Sequence, residues 1–350
     1  LWAVNGLALD ASPELIHELA ARADVPEVRL DAPVVLVAPE KAAETAPEWN
    51  LEMVRAPDLW ARGHTGSGVV VAVIDTGVDD LHQDLVDRFR DGANDWFDPY
   101  GERAEPHDTT GHGTQAAGLI VGGDAGGSAI GAAPGASWIA ARIFNDAGQG
   151  TVSGIHQVFQ WLLDPDGDPA TDDAPDVANN SWGFQSRPNE CYVEFAEDIE
   201  HLRAADVVTV YSAGNGGPAA STSISPANNP GAVSVGGVDS AGQVLLSSSR
   251  GPSACGGETF PALVAPGVGL RTADLTFGGA VPGSYTGVSG TSFAAPHVSG
   301  AVALLLSAHP EATVVQIEQA LTGGAEDLGP DGPDNDTGYG LLDVVKAEAL

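Results

Sequence analysis

Hydrophobic positions along the chain follow two alternating rhythms. Short, unbroken runs rich in β-branched residues occupy 69–74, 138–144, 175–179, 207–211, 232–235 and 262–264. An unbroken apolar run suits a strand covered on both faces of a parallel sheet, where no side chain meets water. Between these runs, apolar residues recur every three or four positions near 153–163, 191–205, 292–308 and 313–321, the spacing of one helix face. The last segment opens on Thr313-Val-Val-Gln316, a capping box. Strand, helix and strand in succession predict right-handed crossovers and an α/β layer fold, with chemistry gathered at the carboxyl ends of the strands.

The first 37 residues stand apart as a small β-α-β piece. Trp2–Leu9 alternates weakly, Ser12-Pro13-Glu14 starts a helix that continues through Leu15, Ile16, Leu19 and Ala20, and Val28–Val37 is strand-like. Residues 38–48 are small, polar and bounded by Pro39 and Pro47, the composition of a linker or cleavage segment. The main domain is therefore placed at 49–350.

Charge narrows the function. The 350 residues carry 48 Asp and Glu against 14 Lys and Arg, a formal charge of −34. A nucleic-acid partner would require clustered cations and is excluded. The acidic residues are dispersed, which opposes aggregation and suits a saline medium. Hydrophobic residues make up 43% of the chain, enough for a packed core. The longest apolar runs, Val69–Ile74 and Ala301–Leu306, are too short to span a bilayer, so no membrane partner is expected. The chain starts at Leu1 without a charged and then apolar leader, so a signal peptide is taken as already removed. The two cysteines, Cys191 and Cys255, either form one disulfide or are unrelated buried thiols. If joined, they close a loop of about 65 residues, worth roughly 4 kcal/mol in chain entropy.

Three residues at element boundaries carry candidate chemistry. Asp75 ends the run Val-Val-Val-Ala-Val-Ile, His112 lies between two glycines at the start of a small-residue helix, and Ser292 opens the apolar helix after Gly290-Thr291. Taken singly, each has a plain structural role: an Asx-turn, a surface turn histidine and an N-cap. Together they are the orienting carboxylate, base and nucleophile of acyl transfer. No Gly-x-Ser-x-Gly occurs, which argues against the α/β-hydrolase arrangement.

The blocks Val71-Ala-Val-Ile-Asp75-Thr-Gly-Val-Asp79, Gly111-His112-Gly113-Thr114 and Gly290-Thr-Ser292-Phe-Ala-Ala-Pro296-His297 resemble the three active-site blocks of the subtilisin-like serine proteases. Asn180-Ser-Trp-Gly183, Ser212-Ala-Gly-Asn215, Ser249-Arg-Gly-Pro252 and Val264-Ala-Pro-Gly267 match supporting blocks, so the resemblance spans about 47–347. The secreted bacillopeptidase F-like members share the Asn-Asn-Ser-Trp-Gly block. The resemblance implies a three-layer fold with a mainly parallel twisted sheet and a secreted, monomeric endopeptidase acting on polypeptides without a catalytic cofactor. It implies Ser292 as nucleophile, His112 as general base, Asp75 as its orienting carboxylate and Asn215 as oxyanion donor. Ser181, Trp182 and Gly183, with Gly148 and Gly150, resemble edges that pair with substrate backbone. Ser181, Trp182 and Gly183 also resemble pocket walls, with Ala213 and Gly214, around a slot for a bulky apolar side chain.

Residues 1–37 resemble part of the family's inhibitory propeptide, a partner cut off near 38–48. Departures from the family pattern also matter. Gln115 replaces a second histidine, and Phe293 replaces an oxidisable methionine, so activity should survive peroxide. Asp84 matches a structural-calcium position, but Thr45 and Ala125 stand where amide ligands are usual, with Asp124 as the substitute. The competing function is a catalytically silent module on the same fold. Nucleotide binding by 122–127 is disfavoured, because that Gly-rich stretch lacks a phosphate-loop lysine.

Overall fold

The computed structural model describes residues 1, 6–31, 33–36, 40–41, 49–90 and 92–349. The predicted strand Trp2–Leu9 lies partly outside them, as does most of the linker. In chain order the elements begin with α1 (Pro13–Ala20), β1 (Pro33–Leu36), β2 (Glu40–Lys41), α2 (Trp49–Met53), α3 (Ala56–Trp60), β3 (Val70–Asp75) and β4 (Trp96–Phe97). Next come α4 (His112–Val121), β5 (Ser137–Arg142), β6 (Gly150–Thr151), α5 (Val152–Leu163), β7 (Val177–Asn180), β8 (Trp182–Gly183) and α6 (Ala196–Ala204). The chain ends with β9 (Val208–Ser212), β10 (Val233–Val238), β11 (Leu263–Pro266), β12 (Leu270–Ala273), β13 (Tyr285–Ser289), α7 (Thr291–Ala308), α8 (Val314–Gly324) and α9 (Val344–Ala347).

Seven strands form one sheet in the order β11-β10-β9-β7-β3-β5-β4, and every neighbouring pair is parallel. The run 70–75 shows why its apolar pattern is unbroken. Val71 and Val73 face a cluster built with α4, α7 and α8, whereas Ala72 and Ile74 face a second cluster built with α5 and α6. Helices thus cover both faces. The chain passes from β3 to β5 on one side and then to β7 on the other, so the crossover direction reverses at β3. A ligand crevice is expected at such a reversal, beyond the carboxyl end of the strand. Asp75 is there.

Helix α7 runs through the core. At 18 residues it is apolar and long enough to cross a membrane by length and composition, but 83% of it is buried inside the fold. Two small antiparallel sheets lie outside the central one. The first has the order β6-β1-β8, with Val34 opposite Gly150 and Val35 opposite Gly183. The second, β12-β13-β2, pairs Glu40 with Ser289. The N-terminal segment therefore supplies a middle strand between β6 and β8, four residues long where the sequence predicted ten. Cys191 and Cys255 are joined in one disulfide with a Cα–Cα distance of 4.7 Å.

Candidate active site

Three elements bring Asp75, His112 and Ser292 to one edge of the sheet. Asp75 is fully buried at the end of β3, and its Oδ1 accepts the Thr76 N–H at 2.7 Å. His112 is the first residue of α4, and its Nδ1 lies 2.8 Å from Asp75 Oδ1, so the carboxylate fixes which ring nitrogen carries the proton. The other nitrogen, Nε2, is buried and makes no hydrogen bond. Helix α4 can approach β3 this closely because residue 113 is glycine: a Cβ there would stand 2.0 Å from Gly77 O and 3.0 Å from Asp75 Cβ. Asp108, which the sequence reading missed, holds the start of the helix. Its Oδ1 accepts from Thr76 Oγ1 at 2.9 Å and Gly111 N at 2.9 Å, and its Oδ2 from Thr114 N at 3.0 Å and Thr114 Oγ1 at 2.7 Å. A turn-forming pattern, Asp108-Thr-Thr-Gly111, was its only signal.

Ser292 is fully buried in the first turn of α7, where N–H groups lack intrahelical acceptors and the dipole favours a developing anion. Pro296, four residues on, has no N–H to give the Ser292 carbonyl. That carbonyl instead accepts the Ser181 hydroxyl at 2.7 Å, while the Ser292 hydroxyl donates to Ser181 O at 3.3 Å. The apparent helix-breaker thus leaves the Ser292 backbone tied to the end of β7. Phe293 packs its ring on His112 at 5.1 Å between centroids. Asn215 is oriented by Thr291, whose N–H and Oγ1 both donate to Asn215 Oδ1, at 3.1 and 3.0 Å. With Oδ1 so engaged, the amide Nδ2 is the end left to point elsewhere.

The residues expected to pair with substrate backbone lie around β1. Gly150 and Gly183 lie on strands flanking β1, and Gly148 is in the loop leading to β6. The Trp182 ring is fully buried, edge-on to Phe195 at 5.6 Å and Tyr211 at 6.1 Å, so it is turned into the core beneath β8. Ile224, another residue missed, packs against both Gly183 and Gly214: a Cβ on either glycine would stand 2.7 Å from Ile224 Cδ1. Tyr100 braces the edge by donating to Ile143 O at 2.7 Å and accepting from Thr151 N at 3.2 Å. Neither residue stands in a recognisable motif.

The profile of the subtilase family matches residues 66–340. The chain belongs to the subtilase family. It is 36% identical to bacillopeptidase F of Bacillus subtilis, an alignment covering 99% of this chain and 26% of that protein. It thus spans about a quarter of that relative's length. It is also 32% identical to alkaline elastase YaB of a Bacillus strain, over 99% of this chain and 84% of the relative. To subtilisin E of Bacillus subtilis it is 33% identical, over 93% of this chain and 77% of the relative. This subtilase is a serine endopeptidase, and its central parallel sheet flanked by helices is the three-layer α/β fold expected from the sequence.

The corner of the subtilase around Asp84 does not fit the expected calcium ion. Asp84 Oδ1 accepts the Ala125 N–H at 2.8 Å and Oδ2 the Tyr285 hydroxyl at 2.5 Å. The Arg271 guanidinium covers the Tyr285 ring at 4.0 Å and donates to Ser128 Oγ at 2.8 Å and Gly126 O at 3.3 Å. Each oxygen of the one buried carboxylate is thus already engaged by a donor of the protein itself. Asp124 is exposed, and Thr45 lies outside the described residues.

Proposed function

We propose that this chain is a secreted endopeptidase cutting polypeptides through Asp75, His112 and Ser292, with residues 1–37 acting as its own propeptide. The observation that carries the catalytic reading is the buried 2.8 Å contact from Asp75 to His112 Nδ1, which leaves Nε2 as an uncommitted base beside the helix that bears Ser292. In the reaction Ser292 Oγ attacks the carbonyl carbon while His112 Nε2 takes its proton. The oxyanion is met by Asn215 Nδ2 and the Ser292 N–H. His112 then protonates the leaving amine, and water repeats the cycle to release the acyl group. Asp75, hydrogen-bonded to Nδ1, stabilises the imidazolium that forms.

Support for the propeptide reading comes from β1. It lies antiparallel between β6 and β8, where an extended substrate would add as a strand. Arg29 pairs with Glu194 at 2.8 Å and Asp31 accepts the Ser153 N–H at 2.8 Å, tying the segment to α5 and to the chain before α6. With β1 ending at Leu36, the maturation bond of this reading lies downstream of it, in the linker near 38–48. In the substrate slot, Ile224 sets an apolar floor and favours an apolar side chain before the bond.

A fluorophosphonate probe should label the protein once per chain, and Ser292→Ala should abolish labelling and retain the N-terminal segment by intact mass. Folded, segment-free protein that takes no label would overturn the reading in favour of a silent module.

A further inference from the structure

Away from the catalytic edge, helix α5 ends in a concentration of negative charge that nothing described here neutralises. Its last turn holds no basic residue, so the negative end of the helix dipole adds to the carboxylates that follow. Asp164, Asp166 and Asp173 each present a carboxylate oxygen, and these oxygens lie within 4.8 Å of one another. Partial contacts exist: Asp173 Oδ2 accepts the Asp166 N–H at 2.9 Å, Asp166 Oδ1 accepts the Asp168 N–H at 2.7 Å, and Thr171 Oγ1 donates to Asp166 at 3.0 Å. These are neutral donors and cancel no charge. Arg90 is near, but its NH1 donates to the Asp173 backbone carbonyl at 2.8 Å and its Nε to Asp95 at 2.7 Å.

Two further observations point to a ligand. Asp164 Oδ1 is shut off from solvent without any hydrogen bond. Gln160, one helical turn earlier on the same face of α5, is only 9% exposed, and its amide nitrogen is buried and unpartnered. It lines the same cavity, of about 390 Å³, as Asp164 and Asp166. An amide can be turned end for end without changing its shape, and turned so it offers an oxygen. A buried amide and a buried carboxylate oxygen that both lack partners are costly unless something occupies the space between them.

We propose that Asp164, Asp166 and Asp173, with the Gln160 amide, bind one calcium ion at the end of α5. The donors are all oxygen, which selects a hard cation, and an irregular loop suits the variable coordination of calcium better than the strict octahedron of magnesium. The loop 164–176 joins α5 to β7, and Asp176 at its end accepts the Val70 N–H of β3 at 2.7 Å. The ion would therefore tie a surface excursion to the central sheet, stabilising the fold rather than taking part in catalysis.

Terbium luminescence tests this on the full chain carrying Ser292→Ala, which removes self-digestion and makes the result independent of the catalytic reading. Trp161 lines the same cavity and serves as the sensitiser. Terbium emission should rise at least tenfold on binding and be displaced by calcium. Asp164→Asn and Asp173→Asn should each cut that emission about tenfold, Gln160→Leu several-fold, and Asp84→Asn not at all. In chelator, Asp173→Asn should melt above the parent because a like charge is gone; in millimolar calcium the order should reverse. Should Asp164→Asn fail to fold, Asp173→Asn and Gln160→Leu carry the test. Absence of sensitised emission, emission indifferent to these substitutions, or a melting temperature unmoved by calcium would each overturn the proposal.

Discussion

His112 and His156 are both buried against carboxylates, and the difference between them separates a base from a structural ion pair. His156, on α5, lies 2.8 Å from Asp198 through Nδ1 and 3.4 Å from Glu194 through Nε2. Burial alone would lower its pKa, but the two carboxylates overcome this and push it to about 9. Each of its nitrogens faces a carboxylate, and the ring stays protonated at neutral pH, so it has no lone pair to offer there. His112 has a carboxylate on Nδ1 only, and its Nε2 makes no hydrogen bond. A third buried histidine, His297, marks the opposite limit. Its Nδ1 donates to Phe293 O at 2.9 Å, its Nε2 accepts from Asn50 at 2.9 Å, and burial drives it down to about 4. Proximity of His to Asp is thus insufficient for catalysis; one nitrogen must remain uncommitted.

The sharpest way to break this comparison is to remove each histidine in turn. His112→Ala should lower kcat by about 10⁶, the scale known for triad losses in a family relative, whereas His156→Gln should leave kcat nearly unchanged and lower the melting temperature. Equal losses of kcat in folded protein would erase the distinction. Next, Asn215→Ala should cost about 10²–10³ in kcat with little change in KM, again the scale of a relative, because the donor acts on charge that develops only in the transition state. A parallel rise in KM would assign Asn215 to ground-state binding instead.

The two structural histidines should set opposite flanks of a stability profile. His297 is depressed from 6.5 to about 4. The unfolded chain therefore binds the proton first, and stability falls as pH drops from about 6.5 to about 4, by roughly 3 kcal/mol for this group. His156 is raised, so its contribution is complete below about 6.5 and lost as pH rises through about 9. Melting curves of His297→Gln and His156→Gln across pH should each flatten one flank; a variant that leaves its own flank unchanged refutes that assignment. The smallest effect concerns the slot. Ile224→Ala should move preference before the scissile bond toward larger aromatic side chains by about tenfold in kcat/KM, measured on paired peptides.

Much of this was legible in the sequence, for physical reasons that differ by region. The central strands declared themselves because covering both faces forces an unbroken apolar run, so 69–74 reappears as Val70–Asp75 and 207–211 as Val208–Ser212. Helix α8 was marked by its own capping box, with Thr313 and Gln316 bonded reciprocally. The helix expected over 191–205 starts only at Ala196, because Cys191 is held by the disulfide and Tyr192 N–H by Ser225 Oγ at 2.9 Å. Asp75, His112 and Ser292 stood out as candidates because a family pattern surrounds each one. Asp108, Tyr100 and Ile224 did not, since each acts through partners chosen by the folded chain. The inward turn of the Trp182 ring was not legible either, because a position in the motif says where the backbone runs, not which way the ring turns.

The most direct test of the account is the site of attack by a peptidyl chloromethyl ketone with an apolar residue next to the reactive carbon. Peptide mapping should find the carbon attached to His112 Nε2, dependent on Ser292, with His156 and His297 unmodified. An adduct on either of those histidines, or none in a folded protein freed of its N-terminal segment, would contradict it.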